Sequence, residues 1–389
     1  MRIFEKAFRV IQQLEQDGYD TYLVGGAVRD YLIGKDVGDL DIATSATPEQ
    51  VMEVFDKVIP IGIEHGTVLV RFENESFEIT TFRTEGAYSD HRHPDSVNFV
   101  TDVAADLARR DYTVNAIAMA RTGELVDPFH GRDAIEKKEL VTVGKAFDRF
   151  QEDPLRMMRG VRFVSQLGYK LDQDARKVME DERLWLARIA IERVSIEMEK
   201  LCSGKDVKIA VQLLHDTGLW EALPIFKDHP DLMSELAEKI EPLHSLAEWV
   251  ALCSLLSERP VLEWVKEWKL SNAIKQDAQH LVRILQSDLD AWAVYQMPVH
   301  LDDGYCRLVK IYKDKDMQDS VASIRKLLPI RNSSELSISG NDLISWFPDR
   351  KKGSWIRDLL LAAEKAVVEN KIPNKKEQLK EWVIHGYDT

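Results

Sequence analysis

The stretch YLVGGAVRDYLIGKDVGDLDIATSATPEQVMEVF, residues 22–55, places two glycines and two closely spaced aspartates among short apolar runs. Twelve residues separate the glycine pair from Asp39. A strand over DLDIAT has a period of two, so Asp39 and Asp41 share one face, about 6.6 Å apart along the backbone. Leu40 and Ile42 then face the core on the other side. The two carboxylates therefore converge on one point.

Converging carboxylates favour a metal site. Mg²⁺ binds one or two carboxylates together with substrate phosphates, and a metal pair lowers the pKa of an attacking hydroxyl and neutralises a leaving pyrophosphate. The alternative is a turn followed by an edge strand with solvated aspartates, which a lone Asp-x-Asp favours. The glycine pair, the spacing, the aspartates and the following helix TPEQVMEVF together favour Asp39 and Asp41 as catalytic metal ligands.

The glycine pair lies between a predicted strand, YLV, and a predicted helix, AVRDYLIG. A backbone without Cβ atoms can approach a phosphate closely, and a helix N-terminus offers free N–H groups to it. Arg29, in the first turn, can add a bidentate phosphate contact. We therefore expect Gly26 and Arg29 to contact nucleotide phosphates.

The arrangement of glycine pair, Asp-x-Asp and helix resembles the nucleotidyltransferase superfamily that includes polymerase β. In that superfamily the two carboxylates hold the metals that carry a nucleoside triphosphate. The resemblance implies a third carboxylate from a neighbouring strand. Glu78 in FEITTF is the candidate, because it alternates with the apolar Phe77 and Ile79. A solvent-facing strand glutamate is the alternative.

The segment RRDYTVNAIA, Arg109–Ala118, packs charged and amide side chains beside an apolar run. Arg110, Asp111 and Asn115 could grip the triphosphate and the ribose hydroxyls through charge-assisted hydrogen bonds. Alternatively, the aspartate and asparagine cap turns and the arginines form a solvated face.

The segment QEDPLRMMRGVRF, residues 151–163, carries Arg156, Arg159 and Arg162 at every third position of a predicted helix, with Asp153 ahead of them. Cytosine and adenine both present an amino donor beside a ring-nitrogen acceptor, whereas uracil and guanine present a carbonyl acceptor beside an N–H donor. An Asp and Arg pair could therefore accept C and A and reject U and G, because a mismatched base leaves buried polar groups unpaired. Alternatively, Asp153 is an N-cap before Pro154 and the arginines are the wet face of a helix.

Five motifs in order, VGGAVRD, DLDIAT, HGTVLV, RRDYTVNA and EDPLRMMR, resemble the class II tRNA nucleotidyltransferases of bacteria, the CCA-adding enzymes. ERVSIEMEKL resembles the neck helix of this family, and ISGNDLISW with KGSWIRDLLLAAEKAV resembles its tail. Tyr112 stands where phenylalanine is usual. The residues matched to functional positions are Asp39 and Asp41 for metal, Gly26, Arg29 and Arg110 for triphosphate, and Asp153, Arg156, Arg159 and Arg162 for the nucleotide.

The resemblance implies template-independent addition of C, C and A to the 3′ end of tRNA from CTP and ATP, with Mg²⁺ as cofactor. We expect tRNA, ATP and CTP as partners, and a monomer or homodimer. Addition of A alone or of CC alone, poly(A) synthesis, transfer to a small molecule and silent RNA binding are the alternatives. The segment TEGAYSDHRHPDSVNFV, with Gly86, Asp90, Arg92 and Pro94, is read as a polar loop that helps the switch from C to A.

The predicted fold is α+β: a polymerase-β-like head with a mixed sheet and helices, followed by an elongated all-α neck, body and tail. Strand-like runs lie almost wholly before residue 148, and apolar residues at spacings of three and four dominate afterwards. We expect a catalytic head over 1–148, a neck with the nucleotide-recognition helix over 149–203, a body over 204–300 and a tRNA-binding tail over 301–389.

Composition sets broad limits on the type of protein. The 389 residues are 44% hydrophobic and 30% charged, with a net charge of -14, which argues against an all-over polyanion-binding surface. A window from Tyr305 to Gly353 is locally basic and could follow a tRNA backbone. Three scattered cysteines suggest neither a disulfide framework nor a zinc site. Without an apolar run of about 18 residues or a signal-peptide layout, we expect a cytoplasmic protein that does not bind membranes.

Overall fold

A computed structural model describes residues 4–86, 88 and 95–386. Residues 87 and 89–94 of the predicted polar loop lie outside this description, including Asp90, Arg92 and Pro94. The described strands are β1 Thr21–Val24, β2 Asp41–Thr44, β3 Val58–Gly62, β4 Thr67–Phe72, β5 Glu75–Thr81, β6 Arg83–Glu85, β7 Val97–Phe99, β8 Ala118–Met119, β9 Leu125–Val126, β10 Glu139–Leu140 and β11 Lys170–Leu171.

The α-helices of the described residues are α1 Glu5–Gln16, α2 Gly26–Leu32, α3 Pro48–Val54, α4 Val103–Ala108, α5 Gly131–Lys137, α6 Ala146–Glu152, α7 Leu155–Leu167, α8 Gln173–Glu182, α9 Ile191–Cys202, α10 Val207–Asp216, α11 Pro230–Lys239, α12 Leu246–Ser257, α13 Val261–Glu267, α14 Asn272–Leu285, α15 Ala291–Gln296, α16 Asp302–Lys313, α17 Gln318–Leu327, α18 Gly340–Trp346, α19 Trp355–Val368 and α20 Lys376–Gly386.

One mixed sheet organises the head. Its strand order is β3-β4-β5-β2-β1-β8-β9, and within it β2 and β5 pair in parallel while the other neighbours pair antiparallel. β4 and β5 form a hairpin, joined by Glu73 and Asn74, both with positive φ, at 47° and 64°. Two successive residues with positive φ form the type of turn whose backbone twist matches that of the paired strands.

Alternation along the strands buries residues on both faces of this sheet. Ile42, Phe77 and Ile79 pack with α1, α2 and α3 on one face, whereas Ala43 packs with residues of α4 on the other. Asp41 and Glu78 alternate with the first group, so they point to the α4 face. The expected core-facing orientation of Ile42 is confirmed.

Helices follow the head, as the periodicity predicts, apart from the two-residue strand β11. The chain forms two units. The first runs to Pro242 and includes Glu267–Lys269, and the second comprises Leu243–Lys266 and the chain from Leu270 onward. The α+β expectation is confirmed, and the finer division into head, neck, body and tail stays a prediction.

The second unit has an apolar core of its own, formed largely by α18, α19 and α20, with Leu343, Ala363 and Val383 among its buried residues. Within the described residues, no helix combines the length and the apolar character needed to cross a membrane.

Each unit contains a helix that starts with a capping box. In a capping box the side chain of the N-cap residue accepts a hydrogen bond from the backbone N–H three residues later, and the side chain of that later residue accepts one from the backbone N–H of the N-cap residue. Thr47 and Gln50 form one before α3, and Ser339 and Asp342 form the other before α18. Each box satisfies N–H groups that the helix itself leaves without partners.

We expect Thr47→Ala to destabilise α3 by about 1 kcal/mol and so to speed its amide hydrogen exchange roughly fivefold. Ser339→Ala should do the same to α18. Each variant is the matched control for the other, since the two boxes lie in different units. Faster amide hydrogen exchange in both helices in either single variant would contradict a local capping effect.

Candidate active site

The predicted carboxylates lie near the start of β2, an interior strand of the mixed sheet. Asp41 opens β2 and pairs in register with Glu78 of β5 on one side and with Val24 of β1 on the other. Asp39 lies just before the strand instead of within it, because regular pairing begins only at Asp41. The structure therefore brings Asp41 and Glu78 together on neighbouring strands, with Asp39 two residues upstream.

The glycine pair leads into α2 beside the start of β2. Gly25 has a φ of +71°, in the left-handed region, and a Cβ there would lie 3.0 Å from Arg110 Nη1 and 3.7 Å from Asp41 Oδ2. Glycine is needed here both for its backbone angle and for the close approach of these two side chains. The first turn of α2, Asp41 and Arg110 therefore surround one point.

Negative charge accumulates at this point. Asp41 is open to solvent on one side but recessed among protein groups, and this desolvation, with Glu78 and Asp39 adding to it, raises its pKa to about 6 against the opposing effect of Arg110. Among the described residues, no three His, Cys, Asp or Glu side chains are grouped closely enough to hold a metal ion by themselves. A carboxylate disfavoured as an anion gains from a nearby cation, so the residues fit a divalent metal that substrate phosphates help to hold.

Arg109 and Arg110 follow α4 and have different environments. Arg109 binds the buried Asp106 at 2.9 Å and Glu85 at 3.0 Å, so it braces the segment. Among the described residues, the contacts of Arg110 are longer, 3.3 Å to the Asn115 carbonyl and 3.4 Å to Asp106. Its burial lowers its pKa, and an approaching phosphate would compensate that cost.

Asp111 is buried and joins this segment to α7. Its Oδ1 accepts hydrogen bonds from the Tyr112 N–H at 2.8 Å and from Asn115 Nδ2 at 3.1 Å, while Oδ2 binds Arg159 at 2.6 to 2.7 Å. Burial alone would raise its pKa, but Arg159 and these hydrogen bonds hold it well below the usual range. Asn115 also accepts from Arg29 Nη1 at 2.5 Å, so the predicted phosphate and ribose residues form one network.

Arg156 and Arg162 of α7 are each only 8% exposed, so the interpretation as a wet helix face is wrong for both. Arg156 donates to Glu152 Oε2 at 2.6 Å and to the carbonyls of Arg109 and Arg149 at 3.0 and 3.2 Å. The guanidinium of Arg162 lies 4.1 Å from the centre of the Phe163 ring.

Asp153 lies two residues before α7, ahead of the N-cap residue Pro154. Its Oδ1 accepts a hydrogen bond from the Leu155 N–H at 3.1 Å, so the predicted contact to the helix start is present. The same carboxylate binds Arg193 of α9, with Oδ2 at 2.8 Å. Capping therefore uses only part of its hydrogen-bonding capacity, and a role in reading a base is compatible with it.

Tyr112 connects the two halves of the site. Its hydroxyl donates to the Arg156 carbonyl at 2.9 Å, and a Cβ at Gly160 would lie 2.2 Å from that hydroxyl. Phenylalanine at this position could not form this bond. The tyrosine thus adds an anchor to the first turn of α7, and the glycine makes room for it.

One cavity of about 490 Å³ gathers most of the predicted residues. It is lined by Gly26, Arg29, Asp41, Arg110, Asp111, Asn115, Asp153, Arg156, Arg159 and Arg162, together with Gly25, Arg109, Leu155, Phe163, Gln166 and Arg193. Seven arginines face three aspartates there, a balance that attracts a polyanion such as a triphosphate.

Glu78 lines a separate recess of about 400 Å³ that shares Asp153 and Arg156 with the cavity. Asp39 lines neither space. A wider groove of about 1100 Å³ between α8 and α10 contains none of the predicted site residues. Convergence of charged groups, and not size, therefore identifies the candidate site.

Family models match three parts of the chain. Residues 21–141 match the poly A polymerase head domain, residues 168–229 the RNA and SrmB-binding site of polymerase A, and residues 242–383 tRNA nucleotidyltransferase domain 2. The chain is also 44% identical to the CCA-adding enzyme of Oceanobacillus iheyensis, over 98% of this chain and 97% of that protein. The chain belongs to the CCA-adding enzyme family. The resemblance read from the five motifs is confirmed.

Other members of the family agree with this assignment. The CCA-adding enzyme of Bacillus cereus is 40% identical, over 98% of each chain. The crystal structure of the Bacillus stearothermophilus CCA-adding enzyme in complex with CTP superposes with a TM-score of 0.89 at 37% identity, covering 98% of this chain and 97% of that one. The Thermotoga maritima CCA-adding enzyme complexed with tRNA has 17% identity and a TM-score of 0.64, which shows the shared fold. Nucleotidyltransferases of this kind use a divalent metal ion.

Sequence reasoning missed three charged residues at the site of this CCA-adding family member. Arg193 binds Asp153, Glu197 binds Arg162 at 3.0 Å, and Glu152 binds Arg156. Arg193 and Glu197 lie four apart in ERVSIEMEKL, a spacing that places them on one helix face. That shared face was the available signal. The two residues do not pair with each other, however: Arg193 pairs with Asp153, and Glu197 pairs with Arg162.

We expect Asp111→Asn to destabilise the protein by about 3 kcal/mol at pH 7, because Arg159 loses its buried partner. The folded-state pKa of Asp111 is depressed, so its stabilising effect is present above the unfolded value near 4 and is lost as pH falls below it. Denaturant unfolding of wild type and variant at pH 7 and at pH 3 measures the difference, which should be smaller at pH 3.

Asp172→Asn is the matched control for this variant. Asp172 caps α8 by accepting from the Ala175 N–H, and asparagine caps helices as well as aspartate does. An equal loss of stability in both variants would contradict a specific role for the Asp111–Arg159 pair.

Proposed function

We propose that this protein adds C, C and A to the 3′ end of tRNA, using CTP and ATP and releasing pyrophosphate at each addition. The observation that carries the proposal is the single cavity in which Asp41, the phosphate-facing Arg29 and Arg110, and the base-facing Asp153 and Arg156 meet. A nucleoside triphosphate has a charged end and a base end, and the cavity offers a partner for each.

The reaction is displacement at the α-phosphate of the bound nucleotide. The 3′-hydroxyl oxygen of the RNA forms the new bond to phosphorus, the bond to the bridging oxygen breaks, and pyrophosphate leaves. Positioning and charge stabilisation suffice for this chemistry, and no covalent enzyme intermediate is needed.

Asp39 and Asp41 would hold Mg²⁺, with Glu78 as the third carboxylate of the metal site. When bound, Mg²⁺ lowers the pKa of the attacking hydroxyl and balances the charge of the pyrophosphate. Arg29 and Arg110 bind the phosphates beside the N–H groups of the first turn of α2, where Gly25 and Gly26 permit close approach. Asp111 has its acceptor positions taken by Tyr112, Asn115 and Arg159, so we assign it the task of holding Asn115 and Arg159 in place for the sugar and the base.

Base choice falls to Asp153 and Arg156. An acceptor on Asp153 receives the amino group of cytosine or adenine, and a donor on Arg156 binds the adjacent ring nitrogen. Uracil and guanine would place a carbonyl against the carboxylate. Arg159 and Arg162 line the same cavity and complete its positive charge.

We assign tRNA as the partner. The helical part of the chain and the basic window Tyr305–Gly353 would bind it by recognising its shape and its phosphate groups. The relatives named CCA-adding enzymes and the solved complexes with CTP and with tRNA support this assignment. A cytoplasmic location and a monomeric or homodimeric state belong to the same proposal.

The experiment uses tRNA transcripts that end at the discriminator base, at C and at CC, each incubated with Mg²⁺ and single or mixed nucleotides. Products are sized at single-nucleotide resolution. Addition of C, C and A followed by arrest is the expected result. Addition of A to the CC transcript alone, addition of CC alone, or a long ladder of A would instead establish an A-adding enzyme, a CC-adding enzyme or a poly(A) polymerase.

We expect Asp41→Ala to lower incorporation of both C and A by roughly a thousandfold, because the metal loses a ligand. Binding of tRNA, measured by filter retention, should not change. Asp36→Ala, an exposed aspartate of the same segment, is the control and should retain activity. Full activity of the Asp41 variant would remove this residue from the metal site.

We expect Arg156→Ala to lower the preference for CTP and ATP over UTP and GTP by about tenfold, because the ring nitrogen loses its donor. Single-turnover incorporation with each nucleotide measures the preference. Arg121→Ala, which removes an arginine paired with Glu15 outside the cavity, should leave it unchanged. An unaltered preference in the Arg156 variant would return α7 to a purely structural role.

A further inference from the structure

We infer that Arg193 of α9 is a specificity-determining positioning residue, which limits the acceptor positions that Asp153 offers to a base and thereby excludes guanine. The inference rests on the proposed function, since it concerns how the cavity selects its nucleotide. Arg193 lines that cavity, but its partner is the base-reading carboxylate and not the substrate.

The contact between the two side chains is bidentate. Arg193 Nη1 lies 3.3 Å from Asp153 Oδ1 and Nη2 lies 2.8 Å from Oδ2. The side chains of Arg193 and Asp153 are 23% and 14% exposed, respectively. Two parallel bonds to a planar guanidinium fix the plane of the carboxylate as well as its position.

The hydrogen bonds of Asp153 leave it little free capacity. A carboxylate offers about four acceptor positions, two on each oxygen. In the described part of the chain, Oδ1 accepts from the Leu155 N–H and from Arg193, and Oδ2 accepts from Arg193. One position remains, on Oδ2, which suits the one amino hydrogen that cytosine or adenine directs at this point.

Arg156 has hydrogen-bond donors to complement the free acceptor position of Asp153. Its Nη1 donates to Glu152 and to the Arg149 carbonyl, and its Nη2 donates to the Arg109 carbonyl. Five donors are present on a guanidinium, so further donors remain in the described surroundings. One free acceptor beside free donors is the pattern that cytosine and adenine require.

Without Arg193 the carboxylate would offer both oxygens and could rotate. Guanine carries two adjacent donors, N1–H and the N2 amino group, which together match an unoccupied carboxylate. Uracil carries a single N3–H between two carbonyls, so one carboxylate oxygen would then face a carbonyl oxygen. Loss of Arg193 should therefore admit guanine much more than uracil.

The position of Arg193 is held by the packing of α9 on α7. Glu197, one turn further along α9, binds Arg162 of α7 at 3.0 Å. The Ser195 hydroxyl lies 3.1 Å from the Trp268 carbonyl and can donate to it, and Ser165 of α7 donates to the Leu201 carbonyl. These contacts flank Arg193 and do not involve Asp153, so they should survive its substitution.

The test compares Arg193→Met and Arg193→Lys with wild type and with Glu192→Gln. Methionine removes the guanidinium but keeps an unbranched stem, and lysine restores the charge with a single-point donor. Glu192 neighbours Arg193 on α9 and forms an exposed pair with Lys269, so its variant controls for charge changes on this helix. Thermal melting confirms that each protein is folded.

The readout is kcat/KM for misincorporation of GTP and of UTP, each relative to CTP, on the tRNA transcript that ends at the discriminator base. For Arg193→Met we expect the GTP ratio to rise by about tenfold, the discrimination that one bidentate contact supplies, and the UTP ratio by less than about threefold. Arg193→Lys should lie between wild type and methionine, and Glu192→Gln should match wild type.

Equal increases for GTP and UTP, no increase at all, or the same change in Glu192→Gln would overturn the inference. If Arg193→Met does not fold, the ratio of the GTP to the UTP effect in Arg193→Lys decides by the same criterion. Equilibrium binding of GTP and UTP to wild type and variants without RNA measures the same asymmetry. An inactive wild type would thus refute the proposed function, while binding would still support or overturn the role of Arg193.

Discussion

The candidate site depends on the buried carboxylate of Asp111. It binds Arg159 of α7 with one oxygen and the amide groups of Tyr112 and Asn115 with the other, and so joins the segment after α4 to α7. A buried charge is tolerated only when such partners replace its lost hydration. Because Asn115 also binds Arg29, the same carboxylate indirectly orients the first turn of α2. Phosphate, sugar and base contacts are thereby set by one network.

The mixed sheet supplies the second constraint. Parallel pairing of β2 with β5 places Asp41 opposite Glu78, and antiparallel pairing of β1 with β2 places the end of β1, just before the glycines, beside Asp41. The end of β1, the start of β2 and the middle of β5 thus lie side by side. Desolvation, with the charges of Glu78 and Asp39 adding to it, raises the pKa of Asp41, whereas the rest of the cavity that Asp41 lines is rich in arginine. This separation of charges suits a metal at one end of a bound triphosphate and cationic side chains along it.

Much of this arrangement was predictable. The spacing of DLDIAT predicted the outward face of Asp41, and the alternation in FEITTF predicted that of Glu78, because a strand has a fixed period of two. The start of β2 at Asp41, with Asp39 outside it, depended on where pairing with β1 and β5 begins. The burial of Arg156 and Arg162 could not be predicted either, because spacing every three residues describes a helix face equally well whether it meets water or another segment.

The sequence by itself determined which side chains are present and how close neighbours along one strand or helix share a face. That was enough to predict the α+β fold, the family and ten of the sixteen described residues that line the cavity. Only the tertiary structure decided which charges pair: Arg193 with Asp153, Glu197 with Arg162, and the Tyr112 hydroxyl with the Arg156 carbonyl. The physical reason is that periodicity acts within one element, whereas an ion pair between residues forty positions apart depends on how whole elements pack.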